Sequence, residues 1–306
     1  MQRSLPVVVG AVAVVLAGCQ GKLISGAETA LPPVLGAGAT FPSPLYQRWW
    51  SRLLVREELA LVYRPVGSGD GVRQLRAGLV DFAGTDRLID QSDWLQIPMT
   101  AGAIAVAYNH PDCDLQLTRL QVRQVLLGQI RNFQQLGCSP LPIRPVVRGD
   151  DSGTTANLLR FLQPPAGGWH LPQARAVDSN EAMATALAQQ PGALGYLDSV
   201  YLVGRQGLRA AALETATGQF RRPDRASVQM ALQQWPQRHG DAYPLVTPSW
   251  IAVSRTGLGP KAAVLRQALR YGLSPEGQQE AAVLGYEELP PALLHQAQQL
   301  TEKIQP

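Results

Sequence analysis

Three features of the 306-residue sequence predict an α/β fold built on mainly parallel sheets. Short hydrophobic runs alternate with helical patterns, as they do where helices cover both faces of a parallel sheet. Three distant stretches, Leu35–Tyr46 (LGAGATFPSPLY), Val66–Leu75 (VGSGDGVRQL) and Val147–Leu159 (VRGDDSGTTANLL), each run from a strand through Gly, Ser, Thr and Asp into a helix. About 270 residues follow the N-terminal segment, enough for two core-bearing lobes.

The chain opens on a targeting pattern. Arg3 supplies a positive n-region, Leu5 to Leu16 is an apolar run too short to span a bilayer, and Leu16-Ala17-Gly18 precedes Cys19. This resembles a bacterial lipoprotein signal over residues 1–18, which implies cleavage before Cys19 and a diacylglyceryl thioether on its sulfur. A plain secretory signal with an incidental cysteine is the alternative. Residues 19–33 then read as the lipidated Cys and a flexible tether. No later stretch is apolar for long enough to cross a membrane.

The first helix should bury two rows, Leu45, Trp49, Leu53 and Tyr46, Trp50, Leu54, against one sheet. Strands are expected at 59–66, 80–84, 103–108, 143–147 and 249–254, and from Pro260 onward the pattern is helical.

Without Arg3, 26 basic residues face 23 acidic ones, a net charge of +3. That balance has no dense basic run and argues against nucleic acid. Cys113 and Cys138 are expected to form a disulfide in an oxidising compartment, with two unpaired thiols as the alternative. The histidines, His110, His170, His239 and His295, lack metal spacing and read as surface or loop residues, so no metal or cofactor is expected.

Each Gly/Ser/Thr/Asp junction aims the unpaired N–H groups of a new helix forward. Three such ends meeting at one point would cage an oxyanion.

With these residues in view, the chain resembles the phosphate-binding lipoproteins of bacterial phosphate ABC transporters. The matching segments are Gly36–Tyr46, Val66–Leu75 leading to Val80–Asp86 (VDFAGTD), Val147–Thr155, Pro191–Tyr196 (PGALGY) and Ala242–Val253 (AYPLVTPSWIAV). The resemblance implies a periplasmic, two-lobed binding protein, each lobe a mainly parallel sheet flanked by helices, with the ligand between lobes. Lobe one would comprise 34–108 plus 246–306 and lobe two 109–245, with crossings near Asn109 and Pro244. It implies inorganic phosphate as ligand, ABC permease subunits as partners, a monomeric state, a membrane anchor through Cys19 and no catalytic residues.

Carried over residue by residue, the implied phosphate ligands are Thr40, Phe41, Ser68, Asp86, Arg148, Asp150, Ser152, Gly153 and Thr154. Hydroxyls and N–H groups at helix starts, with a forked guanidinium, suit a desolvated anion. Asp86 is the discriminating residue, because a carboxylate can accept a proton from phosphate but not from sulfate. Asp150 should steady Arg148. Asp70 and Asp151 stand where the family usually has glycine, and both are expected to point to solvent in a first helical turn.

Other classes fit less well. A surface lipoprotein that stores or senses phosphate would use the same site. The DSGT tetrapeptide at Asp151–Thr154 is shared with aspartic proteases but has no second copy here, and neither Ser68 nor Ser152 sits in a GxSxG elbow. No Walker lysine follows a Gly-rich loop.

Overall fold

The structure is a computed structural model, and it describes residues 32–163, 174–236 and 240–306. Cys19 and the segments on either side of it, up to residue 31, lie outside the described residues, as do His170 and His239.

In chain order the elements are β1 (Val34–Gly38), α1 (Ser43–Glu57), β2 (Leu61–Pro65), α2 (Ser68–Arg76), β3 (Phe82–Thr85), β4 (Trp94–Tyr108), β5 (Gln116–Leu117) and α3 (Arg119–Leu126). There follow β6 (Arg144–Arg148), α4 (Gly153–Leu162), β7 (Arg175–Val177), α5 (Asn180–Gln189), β8 (Ala193–Asp198), β9 (Arg209–Ala210), β10 (Ala212–Glu214) and β11 (Phe220–Arg221). The chain ends with α6 (Arg225–Gln233), β12 (Val246–Ser254), α7 (Lys261–Gly272), α8 (Pro275–Val283) and α9 (Pro291–Thr301).

One sheet has the strand order β2-β1-β3-β12-β4-β8-β6-β7, with β9 added on β4. Its flanks are parallel, β1 with β2 and β3 on one side and β6 with β7 and β8 on the other. Its centre is antiparallel, because β12 pairs with both β3 and β4, and β4 pairs with β8. A small sheet of β11, β10 and β5 completes the set.

The central strand β4 is longer than the sequence pattern indicates. Residues 94–103 pair with β12, and 104–108 turn to β8. Residues 104–108, expected in lobe one, therefore ladder onto the second flank. The first part of β4 escaped notice because Pro98 and Gly102 interrupt it. The ladder accommodates Pro98 by a register shift opposite Ser249 and Trp250, which leaves Met99 as an extra residue.

α1 enters through Pro42 and Pro44, whose fixed φ suits a first turn. Five of its six predicted core residues are buried, while Leu54 is 53 % exposed at the end of its row. Tyr46 stacks on Trp50 at 4.8 Å between ring centroids, and Trp50 meets Tyr63 and Phe82 edge-on at 5.7 and 5.5 Å. These aromatics are core, fastening α1 over β1, β2 and β3.

Cys113 and Cys138 are disulfide-bonded, with a Cα–Cα distance of 5.3 Å. His110 lies in the loop after β4, one of the two places expected for it, but is buried there. Its Nε2 lies 3.1 Å from the Ser139 carbonyl, and its ring meets Phe133 edge-on at 5.0 Å.

Candidate functional site

The three strand-to-helix junctions do converge, and a fourth helix start joins them. β1 ends where Ala39 N–H donates to the Gly84 carbonyl, and Thr40 and Phe41 then lead into α1. α2 can sit against this turn only because Gly71 lacks a side chain: a Cβ there would lie 2.4 Å from the Gly38 Cα. The Thr40 carbonyl accepts from Tyr201 Oη at 2.5 Å and the Phe41 carbonyl from Tyr286 Oη at 2.8 Å. Across a trans peptide, tying the Thr40 carbonyl to Tyr201 turns the Phe41 N–H the opposite way.

Ser68, in the first turn of α2, is fully buried and accepts from the Asp86 N–H at 3.3 Å. Asp86 leaves β3 at 2 % exposure. Its Oδ1 accepts from Ser249 Oγ at 2.7 Å, and its carbonyl accepts from Asn157 Nδ2 at 2.6 Å and Thr247 Oγ1 at 3.2 Å. β12 and α4 thus hold this residue from two sides.

Arg148, at the end of β6, is gripped by Asp150 through Nε to Oδ1 at 2.7 Å and Nη2 to Oδ2 at 2.6 Å. Nη2 also reaches Thr40 Oγ1 and the Asp178 carbonyl, both at 3.4 Å. Nη1 is buried without a hydrogen-bond partner among the described residues. Asp150 is therefore the partner that fixes the guanidinium plane, leaving Nη1 as a free charged donor.

Ser152 caps α4, its Oγ accepting from the Thr155 N–H at 3.3 Å. Gly153 lets that helix start abut α2: a Cβ there would lie 2.4 Å from Ser68 Oγ and 2.9 Å from the Asp86 Cβ. Thr154 Oγ1 donates to Asp198 Oδ2 at 2.9 Å. The fourth start is α5. Asn180 Nδ2 donates to Thr40 Oγ1 at 2.9 Å and to Asp198 Oδ2 at 2.6 Å, while Asn180 Oδ1 accepts from the Asp198 N–H at 3.1 Å.

The predicted ligand residues thus belong to one cluster, buried except for the half-buried Asp150. Sequence reasoning missed Asn180, Asp198 and Ser249. The signals were present: Val177–Met183 (VDSNEAM) is a strand–polar–helix junction without glycine, Asp198 stands two residues past the PGALGY segment, and Ser249 lies inside AYPLVTPSWIAV.

Asp70 and Asp151 do not enter the cluster. Asp70 sits in the first turn of α2 and pairs with Arg73. Asp151 precedes the cap of α4 instead of lying in its first turn, and pairs with Arg73 at 3.1 Å and Arg87 at 3.0 Å. Its carbonyl also accepts from the Gly69 N–H at 2.9 Å. The expected solvent-facing acid is thus a tie between α2 and the loop before α4.

The electrostatics follow from burial. Asp86 is pushed up to about 8, first by desolvation and then by the charge of Asp198, against the pull of Ser249 and Arg148. Asp198 is raised to about 6, again by desolvation first, with Thr154, Asn180 and Arg148 opposing. The two carboxyls titrate as a coupled pair, both raised by burial. Four helix N-termini and one guanidinium are arranged for an anion, and two carboxyls beside them can hold protons.

Among the described residues no group of His, Cys, Asp and Glu side chains could hold a metal ion. A cavity of about 920 Å³ shares no residue with this cluster. Its lining includes Gln163, Pro236 and Gly240, which border segments outside the described residues.

Residues 24–276 match the family model described as the PBP superfamily domain. The chain belongs to this superfamily. The phosphate-binding protein PstS of Haemophilus influenzae is 25 % identical over 297 residues, covering 84 % of this chain and 89 % of its own. PstS of Xylella fastidiosa (strain Temecula1) is 27 % identical over 312 residues, covering 89 % and 85 %. Among solved structures, an ABC-type phosphate transport receptor from Vibrio cholerae superposes with a TM-score of 0.64 at 20 % identity, covering 84 % of this chain and all of that one. That likeness shows that this chain shares the receptor's α/β fold.

Proposed function

We propose that this chain is an extracytoplasmic substrate-binding protein that captures inorganic phosphate and delivers it to an ABC permease. The phosphate would be held by Thr40, the Phe41 N–H, Ser68, Asp86, Arg148, Ser152, Gly153 and Thr154, with Asp150 fixing Arg148. The observation that carries this reading is the buried cluster of four helix starts to which Arg148 belongs, its Nη1 a charged donor with no partner among the described residues. Leaving such a group unsatisfied costs more than a neutral hydrogen bond is worth, and an oxyanion would satisfy it. Asp86 beside it favours an oxyanion that carries a proton.

The halves would divide where β4 changes partner, between Ala103 and Ile104, and again where β12 begins at Val246. An anion touching Ser68 and Asp86 on one side and Arg148 and Thr154 on the other favours the closed arrangement, because only that arrangement completes its contacts. The Leu-Ala-Gly-Cys sequence supports a lipid anchor at Cys19, which would hold the monomeric protein at the membrane. A storing or sensing lipoprotein would use the same site, and capture of a permease by the purified protein separates the two roles.

The test is isothermal titration of the chain from residue 19, with Cys19→Ser and bound ligand removed, first with phosphate and then with sulfate at neutral pH. One phosphate per chain with no sulfate heat is expected. Equal binding of sulfate, or binding of neither, would overturn the reading.

A further inference from the structure

We propose that Asp198 is a second proton acceptor of the anion site, so that two protons are shared between the bound tetrahedral oxyanion and the two carboxyls, Asp86 and Asp198. The proposal rests on the phosphate reading above and specifies the protonation state of its ligand.

Asp198 is 1 % exposed, at the end of β8. Its Oδ2 is saturated by Thr154 and Asn180, whereas Oδ1 is buried without a partner among the described residues. Arg148 Nη1 is the complementary buried donor, and the two side chains are joined through Thr40 and Asn180. Sulfate would satisfy Arg148 Nη1 and leave Asp198 Oδ1 facing a second negative oxygen. A protonated oxygen would satisfy both. Asp86 imposes the same requirement, so two acceptors call for two protons.

The charge balance agrees. The charged and titratable groups that interact with Asp198 are Arg148, Asp86, Tyr201 and Tyr286. Arg148 is already matched by Asp150. A doubly charged anion between two ionised carboxylates would then meet no uncompensated side-chain cation. Placing two protons in the cluster leaves a monoanion with two carboxylate acceptors, or the equivalent with one proton on Asp86. Burial raises both carboxyls, which retains those protons near neutrality.

The test counts protons. Inorganic phosphate is titrated into the wild-type protein by calorimetry at about pH 9, in two buffers of different ionisation enthalpy. There free phosphate carries one proton and both carboxyls are mostly ionised, so the wild type should take up about one proton per phosphate, and its affinity should fall about tenfold per pH unit. Asp198→Asn keeps an oxygen for Thr154 and places an amide donor at Oδ1, so it should take up none and show a flat profile there. No uptake by the wild type, or equal uptake by the variant, overturns the proposal while the phosphate reading stands. Failure of the wild type to bind phosphate at about pH 6 overturns the phosphate reading itself. If that variant does not fold, Asp198→Ser, which also removes the carboxyl, is measured in its place with the same expectations.

Discussion

Asp86 links the stability of the ligand-free protein to its selectivity. Its carboxyl titrates at about 8 in the folded state against an ordinary 3.8, so between those values the native state holds more protons than the unfolded chain. Stability is therefore highest at the acid end and is lost as pH rises through about 8, and Asp198 adds to the same trend up to about 6. Asp86→Asn removes the ionisation and keeps an oxygen for Ser249. Its ligand-free form should melt above the wild type at about pH 8.5, by on the order of a few kcal/mol, with a smaller gap at about pH 5. The same variant should bind phosphate more weakly and reject sulfate less, a trade of function for stability. Superimposable melting curves across this range, measured by calorimetry, would contradict the burial argument.

At the scale of elements, the loop before α4 carries a tie that the family-usual glycine would lack. Asp151 reaches Arg73 and Arg87, all three partly exposed, so each pair is screened by water and salt. Asp151→Gly should weaken phosphate by no more than about fivefold and should show a shallower loss of affinity with added salt than the wild type. An unchanged salt dependence in the titration would leave Asp151 without this role. The disulfide closes a sequence separation of 25 residues, for which chain entropy gives about 3 kcal/mol. Replacing both cysteines with serine should lower the melting temperature by roughly 5–10 °C in calorimetry, without altering phosphate stoichiometry.

These elements also mark how far the sequence could be read. The junctions of α1, α2 and α4 were legible because glycine lets backbones approach, and in α4 a hydroxyl residue, Ser152, caps the helix. The α5 start was not, since VDSNEAM makes its turn with Asp178 and Ser179 and no glycine. Asp198 was hidden because it looks like any acid ending a strand, and its burial depends on tertiary contacts with Thr154 and Asn180. The first part of β4 was hidden by Pro98, whose place in a bulge depends on the pairing with β12.

For the whole molecule, the account requires that ligand bridge the two flanks of the sheet about β4 and β12. Small-angle scattering of the ligand-free protein should show a larger radius of gyration than the phosphate complex, and an unchanged radius would argue against closure. The central claim is the position of the anion, so the most direct measurement is a crystal structure of the phosphate complex. Phosphate is expected within hydrogen-bond distance of Arg148 Nη1, Ser68, Thr154 and the Phe41 N–H, with protonated oxygens toward Asp86 and Asp198. Density for phosphate elsewhere, with Arg148 Nη1 engaged by a protein group instead, would contradict it.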